Sequence, residues 1–410
     1  MLRGVFFTGL LTILLAACAP STQSPRSSAA FPENVTTTEP TYTGTSAMNP
    51  GGVVAADTLR EPIRVAILVP QSGTNGALGQ SILQAAQLAV FDLHENNFQL
   101  VPKDTGGTAE GARKAVDEAA REGARLILGP VFSNEVEAAK AAARNYGLTV
   151  IGFSTDWRVA GGNTFTMGVL PFGQAQRIAE FAAAKGLKRI AIIAPRDVYG
   201  DAVLQAFQTT AQRSGISSQA VVRIAPDGSD AATAVAQLTA GATNGAAFDG
   251  IFMPVGGNAL HALASTLKSY GLGSDRVTYL GTGLWDDAGI TSDANMTNAY
   301  YAAPSPQVRT AFERNYQRIY GSMPPRLASI GYDAAALAIV LARQGAISGA
   351  REAFDKNAIT NPNGFSGVDG IFRFRSDGLA ERGMAVLQIV HGGQIAIVDQ
   401  APSSFVSAAR

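Results

Sequence analysis

Between residues 63 and 290, short apolar runs and stretches of helical period take turns along the chain, and this alternation restricts the fold more than any other feature. Arg64-Val65-Ala66-Ile67-Leu68-Val69-Pro70 is a β-rich run stopped by proline, and Gln71 to Gly76 form a turn-rich loop after it. Leu78, Ile82, Ala85, Ala86, Ala89, Val90 and Leu93 then recur at helical spacing, which predicts an amphipathic helix over about 77 to 95. The same unit repeats. Strands are predicted at Phe98 to Pro102, Leu126 to Leu128, Leu148 to Phe153, Ile190 to Ala194, Ala220 to Ile224, Gly250 to Pro254 and Val277 to Leu280. Between them lie helical stretches near 108–122, 134–146, 174–185, 200–214, 230–242 and 258–270. Alternating units with continuously apolar strands imply an α/β chain whose parallel sheets are covered by helices on both faces.

The segment from Ile63 to Arg410 is longer than one core usually serves, since cores stop growing near ~250 to 300 residues. Two lobes are therefore expected, each a doubly wound parallel sheet. Gly161-Gly162-Asn163 and Pro171-Phe172-Gly173 mark the first crossing between them. Past Leu280 the rhythm changes to helices near 306–320 and 328–344 and short strands near 370–374, 384–390 and 394–398. These read as returns to both lobes, and several crossings make a hinge. The expected division of the domain 63–399 is lobe 1 over about 63–170 and 295–345, lobe 2 over about 171–294 and 346–399, with a tail at 400–410.

The N-terminal region has a different character. Residues 1–17 hold one charge, Arg3, and an apolar stretch too short to span a bilayer, the layout of a secretory signal. Leu15-Ala16-Ala17-Cys18 resembles the lipobox of bacterial lipoproteins, which implies cleavage before Cys18 and lipidation of its thiol. Cys18 is the only cysteine of 410 residues, so an internal disulfide is excluded. The residue after it is Ala19 rather than the aspartate that resembles an inner-membrane retention signal, so the outer membrane is the favoured anchor. Residues 18–62 are rich in Ser, Thr, Pro, Ala and Gly, lack a period, and are expected to be a flexible linker. As a coil it would span about 35 to 40 Å.

Thirty-two basic and 32 acidic residues balance, and without a basic run the body has no electrostatic case for nucleic acid. No later apolar stretch is expected to span a bilayer. His94, His261 and His391 are scattered, with no second ligand at metal spacing. Walker-type and G-x-S-x-G motifs are missing, and Gly73 to Gly79 lack the G-x-G-x-x-G order. No cofactor, metal or catalytic residue is expected, and the chain reads as a binding protein rather than an enzyme.

Val65 to Gly73 with Ala77-Leu78-Gly79-Gln80, Ile127 to Ser133, Val150 to Thr155, Val198-Tyr199-Gly200-Asp201, Gly331-Tyr332-Asp333-Ala334 and Phe365-Ser366-Gly367 with Gly370-Ile371-Phe372 resemble the type I periplasmic binding-protein fold. The similar branch is that of the branched-chain amino-acid receptors of ABC importers. A narrower likeness, in the lipobox, the loose linker and Phe153-Ser154-Thr155-Asp156 with Val159-Ala160-Gly161, is to lipoprotein activators of penicillin-binding proteins. The first implies a small amino-acid-like solute and an ABC permease as partners, the second a peptidoglycan synthase. Both imply the periplasmic face of the cell envelope.

In an open α/β sheet, ligands sit beyond the carboxyl ends of the strands, where helix N-termini favour an anion. That singles out the loops at Ser133 and at Ser154-Thr155, and the resemblance implies that Ser133 and Thr155 hold a ligand carboxylate. Ser133 reads equally as the N-cap of a helix beginning at Asn134. Ser72 after the first strand is a further candidate, with turn formation as the alternative, and Tyr199 resembles a tyrosine at the cleft edge of the second lobe, with packing as the alternative. Trp157 and Trp285 follow strand ends and could wall the cleft or pack. Receptors of the resembling branch carry an acid near the position of Gly283 for the ligand ammonium; here the nearest acids are Asp286 and Asp287, so Asp286 is the candidate and the ammonium site is in question.

Overall fold

The computed structural model describes residues 62–240, 248–348 and 353–405. The expected signal segment, Cys18, the linker up to residue 61 and the tail from 406 lie outside the described residues.

The first lobe runs β1 (Ile63–Val69), α1 (Gly76–Leu93), β2 (Phe98–Asp104), α2 (Ala109–Arg121), β3 (Ala124–Leu128), α3 (Ser133–Arg144), β4 (Thr149–Gly152) and β5 (Thr164–Thr166). Its sheet has the order β2-β1-β3-β4-β5 and is parallel throughout. The side-chain period of two in β1 divides the core. Val65, Ile67 and Val69 pack with Ile82, Leu83 and Ala86 of α1, whereas Ala66 and Leu68 pack with Ala115 and Val116 of α2 and Ala139 of α3.

After β5 the chain crosses and builds α4 (Pro171–Ala184), β6 (Arg189–Pro195), α5 (Val198–Arg213), β7 (Ser217–Ile224), α6 (Ala231–Ala240), β8 (Gly250–Phe252), α7 (Gly257–Ser269), β9 (Thr278–Thr282), α8 (Ala288–Thr291) and β10 (Tyr300–Ala303). Ile190, Ile192 and Ala194 face α4 and α5, and Ala191 and Ile193 face the opposite cluster with α6 and α7. The chain then returns to the first lobe with α9 (Pro306–Tyr320), α10 (Ser329–Ser348), α11 (Lys356–Ile359) and a small antiparallel sheet, β11 (Phe365–Gly367), β12 (Gly370–Phe374) and β13 (Ala380–Arg382). Last come β14 (Ala385–Ile389) and β15 (Ile395–Asp399), an antiparallel edge on the second sheet, whose order is β15-β14-β10-β9-β8-β6-β7.

The expected lobe boundaries need correction in the later part of the chain. Residues 295–304 go with lobe 2, because β10 pairs with β9 and buries Tyr301 and Ala303 in that lobe's core. Residues 353–382 go with lobe 1, because Ile359, Phe372, Phe374 and Ala380 join the cluster around β1. Part of the expected tail is also structural. Beyond β15 the chain crosses a fourth time, and Phe405 lies 4.7 Å under the Arg373 guanidinium of β12. Arg177 of α4 grips the last two crossings, donating to the carbonyls of Met384 (2.9 Å) and Gln400 (3.2 Å) and pairing with Asp399 (2.8 Å).

By length and composition α10 could cross a bilayer, contrary to expectation, but most of it is buried inside the protein. It is the inner helix of lobe 1, laid against α1 so closely that a Cβ on Gly331 would stand 2.2 Å from the Ile82 carbonyl oxygen. Only glycine permits that approach.

Candidate functional site

The carboxyl ends of β4, β5, β6, β9 and β10 converge on a cavity of about 560 Å³ between the lobes. Thr155, Asp156 and Trp157 enter from the loop after β4, Met167 and Val169 from after β5, Val198 and Tyr199 from after β6, and Gly283, Leu284 and Asp286 from after β9. A larger cavity, about 840 Å³, lies on the hinge side against α4, α5 and residues 375–405. The smaller one is the candidate site, because strand carboxyl ends and both lobes meet there.

Three of the six predicted ligand residues line it, Thr155, Tyr199 and Asp286. Thr155 is exposed at the loop tip. The Tyr199 hydroxyl lies 3.0 Å from Thr282 Oγ1, and burial is the main reason its pKa is pushed up to about 12. It therefore acts as a neutral hydrogen-bonding group. Asp286 does face the cleft, but its carboxylate accepts from the Tyr301 hydroxyl (3.3 Å) and from Arg326 Nε of the opposite lobe (3.2 Å).

Ser72, Ser133 and Ser154 do not line the cavity. For Ser72 and Ser133 a neighbouring acid has taken over the local donors, and Ser154 is spent on its own turn. Asp104 accepts the N–H groups of Gln71 (2.8 Å), Ser72 (3.3 Å) and Gly106 (2.8 Å), so the loop after β1 is closed on an internal carboxylate. Burial opposes ionisation of Asp104, but these bonds and one from the Ser72 hydroxyl together hold it below its ordinary pKa. Ser133 is the first residue of α3, not its cap. Phe132 holds the N-cap position, and the fully buried Glu135 reaches back to its N–H at 3.1 Å. Burial pushes the Glu135 carboxyl upward. Ser154 is buried and its hydroxyl accepts the Asp156 N–H at 3.0 Å, which sets the turn that presents Thr155. Trp157 walls the cavity, edge-on to Phe172 at 4.9 Å, whereas Trp285 is wholly buried and donates to the Val255 carbonyl at 2.9 Å.

The residues missed by sequence reasoning come from the returning segment. Arg326, before α10, extends Nη1 to Asp369 at 2.8 Å, and Asp369 also accepts from Arg309 Nη1 (2.9 Å) and the Ser329 hydroxyl (2.6 Å). Next along the β11–β12 turn, the Val368 N–H donates to Asp333 at 2.7 Å, and Asp333 faces Arg382 Nη1 at 3.4 Å. Arg382 Nη2 donates to the Met167 carbonyl at 3.1 Å, and its guanidinium lies 5.1 Å from the centre of the Phe372 ring. Asp333 is entirely buried, and this desolvation pushes its carboxyl to about 6, with Asp369 adding to the rise and Arg382 opposing it. The Nε of Arg382 is buried without a hydrogen-bond partner among the described residues. Arg326, Asp369 and Arg382 all line the cavity. No group of three or more His, Cys, Asp or Glu among the described residues is placed to hold a metal ion.

Two lobes with this topology and an interlobe site define a type I binding protein, and comparison with known sequences gives the same answer. The family model described as "Periplasmic binding protein" matches residues 62–394, and the chain belongs to that family. It is 27% identical over 269 residues to the Leu/Ile/Val-binding protein BraC3 of Rhizobium johnstonii, covering 61% of this chain and 71% of that one. A putative branched-chain amino acid ABC transporter from Rhodospirillum rubrum superposes with a TM-score of 0.73 at 16% identity, over 82% of this chain and 100% of that one. A solute-binding protein of an ABC transporter from R. palustris, solved in complex with benzoate, superposes with a TM-score of 0.57 at 17% identity, over 84% and 97%. The homologues are solute-binding proteins, and the family is periplasmic and associated with the envelope.

Proposed function

We propose that this chain captures a small organic solute in the interlobe cleft and delivers it to an ABC-type permease. The observation that carries the reading is that residues of both lobes line one cavity of about 560 Å³, with Arg326 of lobe 1 meeting Asp286 of lobe 2 across it. A solute bridging the lobes would add its own contacts to this one and hold the cleft shut. Relatives offer two solute classes, Leu, Ile and Val for BraC3 and benzoate for the R. palustris protein. A melting-temperature screen with amino acids, aliphatic and aromatic acids, sugars and nucleosides tests the reading. A solute at 100 times its Kd adds about 2.7 kcal/mol of stability. Tyr199→Ala should remove most of that gain, and silence across the whole panel would refute solute capture.

We further propose that Cys18 is lipidated and holds the body to the outer membrane on its periplasmic side. Labelling cells with a clickable fatty acid should mark the wild type and not Cys18→Ser. A second reading, regulation of a peptidoglycan synthase without solute, draws on the exposed Asp104 and the buried Glu135, whose carboxylates occupy the loop donors after β1 and β3. It predicts a weakened cell wall with normal uptake when the protein is removed, whereas solute capture predicts loss of one solute's uptake.

A further inference from the structure

Resting on the solute-capture reading, we infer that the cleft selects a monocarboxylate with an apolar body and no ammonium group, the carboxylate being received by Arg326 and Arg382. The acids of the cleft are already engaged. Asp156 is clasped by Arg158 through Nε at 2.9 Å and Nη2 at 2.7 Å, Asp286 by Arg326 and Tyr301, and Asp369 by Arg309, Arg326 and Ser329. An ammonium entering here finds each carboxylate already neutralised by a guanidinium, and a desolvated cation without a counter-charge of its own is strongly disfavoured.

The donors tell the opposite story. Arg382 has a side chain only 3% exposed, its Nε has no hydrogen-bond partner among the described residues, and the residue lines the cleft. Its Nη1 and Nη2 are held by Asp333 and the Met167 carbonyl, so the guanidinium is a fixed positive charge in the wall that an arriving carboxylate meets. Arg326 is held by Nε and Nη1, and its Nη2 points to no partner among the described residues. Its orientation is fixed beforehand by Asp369, so little conformational freedom is lost when an anion docks. The anion position at the start of α3 is not a competitor, because Glu135 closes it from within. On the lobe 2 side the wall is apolar, with Val198 and Leu284 standing 54% and 46% exposed, and Trp157 lines the same cavity from lobe 1. Exposed side chains of that kind gain by covering a hydrocarbon or aromatic body.

The test compares matched pairs by titration calorimetry on the purified protein: 4-methylpentanoate against leucine, 3-phenylpropanoate against phenylalanine, and each acid against its primary amide. The acids should bind at least tenfold more tightly than the amino acids and the amides, and Arg326→Gln should abolish that preference. Arg326 is half-exposed, so this variant is expected to fold, and circular dichroism checks it; Arg382→Lys, which keeps the charge but removes Nε, should weaken the acids without restoring the amino acids. Tighter binding of the amino acids, equal binding of acid and amide, or an unchanged preference in Arg326→Gln overturns the inference while leaving solute capture intact. So does binding of a sugar or nucleoside from the wider panel with none of these probes bound. Failure of every solute in that panel overturns both.

Discussion

On the lobe 1 side of the cleft, Asp369 gathers Arg309, Arg326 and Ser329, Asp333 pairs with Arg382, and the Val368–Asp369 turn lays the two clusters side by side with their bases buried. On the lobe 2 side, Val198 and Leu284 present bare apolar surface, and the polar groups are few. Gln174 is spent on the Gly283 N–H at 2.6 Å and Tyr199 on Thr282, which leaves Asp286 as the group that reaches across. The two walls grow from the same βα architecture, yet one fixes charges in place and the other offers a surface to close. A rigid charged wall can orient a solute before closure, and an apolar wall gains most from covering it afterwards.

The contrast can be broken most forcefully at Asp369. Asp369→Ala leaves Arg309 and Arg326 without their common partner, and removing one member of a buried ionic network costs about 3 to 5 kcal/mol. Chemical denaturation should show that loss; a change below about 1 kcal/mol would mean that the lobe 1 wall is not the fixed one. Next in size is the pH dependence of Asp333. Its folded pKa of about 6 lies above the ordinary 3.8, so its favourable contribution is complete below about pH 3.8 and disappears as pH rises through 6. Asp333→Asn should therefore lose less stability than the wild type between pH 4 and pH 7, by on the order of 1 to 3 kcal/mol. Parallel curves would show that burial of Asp333 has no energetic weight. At the contact between the walls the effect should be smaller. Asp286→Asn should cost no more than about 1 kcal/mol, since both partners are partly solvated, and a double-mutant cycle with Arg326→Gln should give a coupling that fades with added salt. The smallest change is expected for Ser133→Ala. Ser133 neither caps α3 nor lines the cleft, so a shift within about 0.5 kcal/mol in stability and none in solute affinity should result.

The sheets and the first crossing were legible because period and turn chemistry are local: Val65 to Val69 carries both faces of β1 in five residues, and Pro171 opens α4 where the chain changes lobe. The strand-end rule located the loop after β4 with Thr155 but also pointed to Ser133, which does not line the cleft, while Tyr199 and Asp286 were reached through the family resemblance and do lie there. Ser72 misled because an acid 32 positions away, Asp104, decides whether its loop donor is free, and Ser154 because its hydroxyl is spent on the Asp156 N–H. Arg326, Asp369 and Arg382 left no local signal at all. They meet through a network spanning more than 50 residues of sequence, and each one alone resembles any surface charge. For α10 the sequence reading excluded a membrane span on apolar length, although the helix is long and apolar enough to pass that test. Its contacts with α1 are what identify it as core.

The fourth crossing, at residues 400–405, has a mechanical consequence. Strands that bridge two bodies at well-separated points act like the pins of a door: together they leave one easy swing and resist twisting. Arg177 ties two of these bridges to the same helix, and Phe405 fastens the last of them under Arg373. Cutting the chain before Gln400 should therefore leave both lobes folded but let them wobble in directions the intact protein forbids, a broadening that interlobe spin-label distances would record as a wider spread about a similar mean.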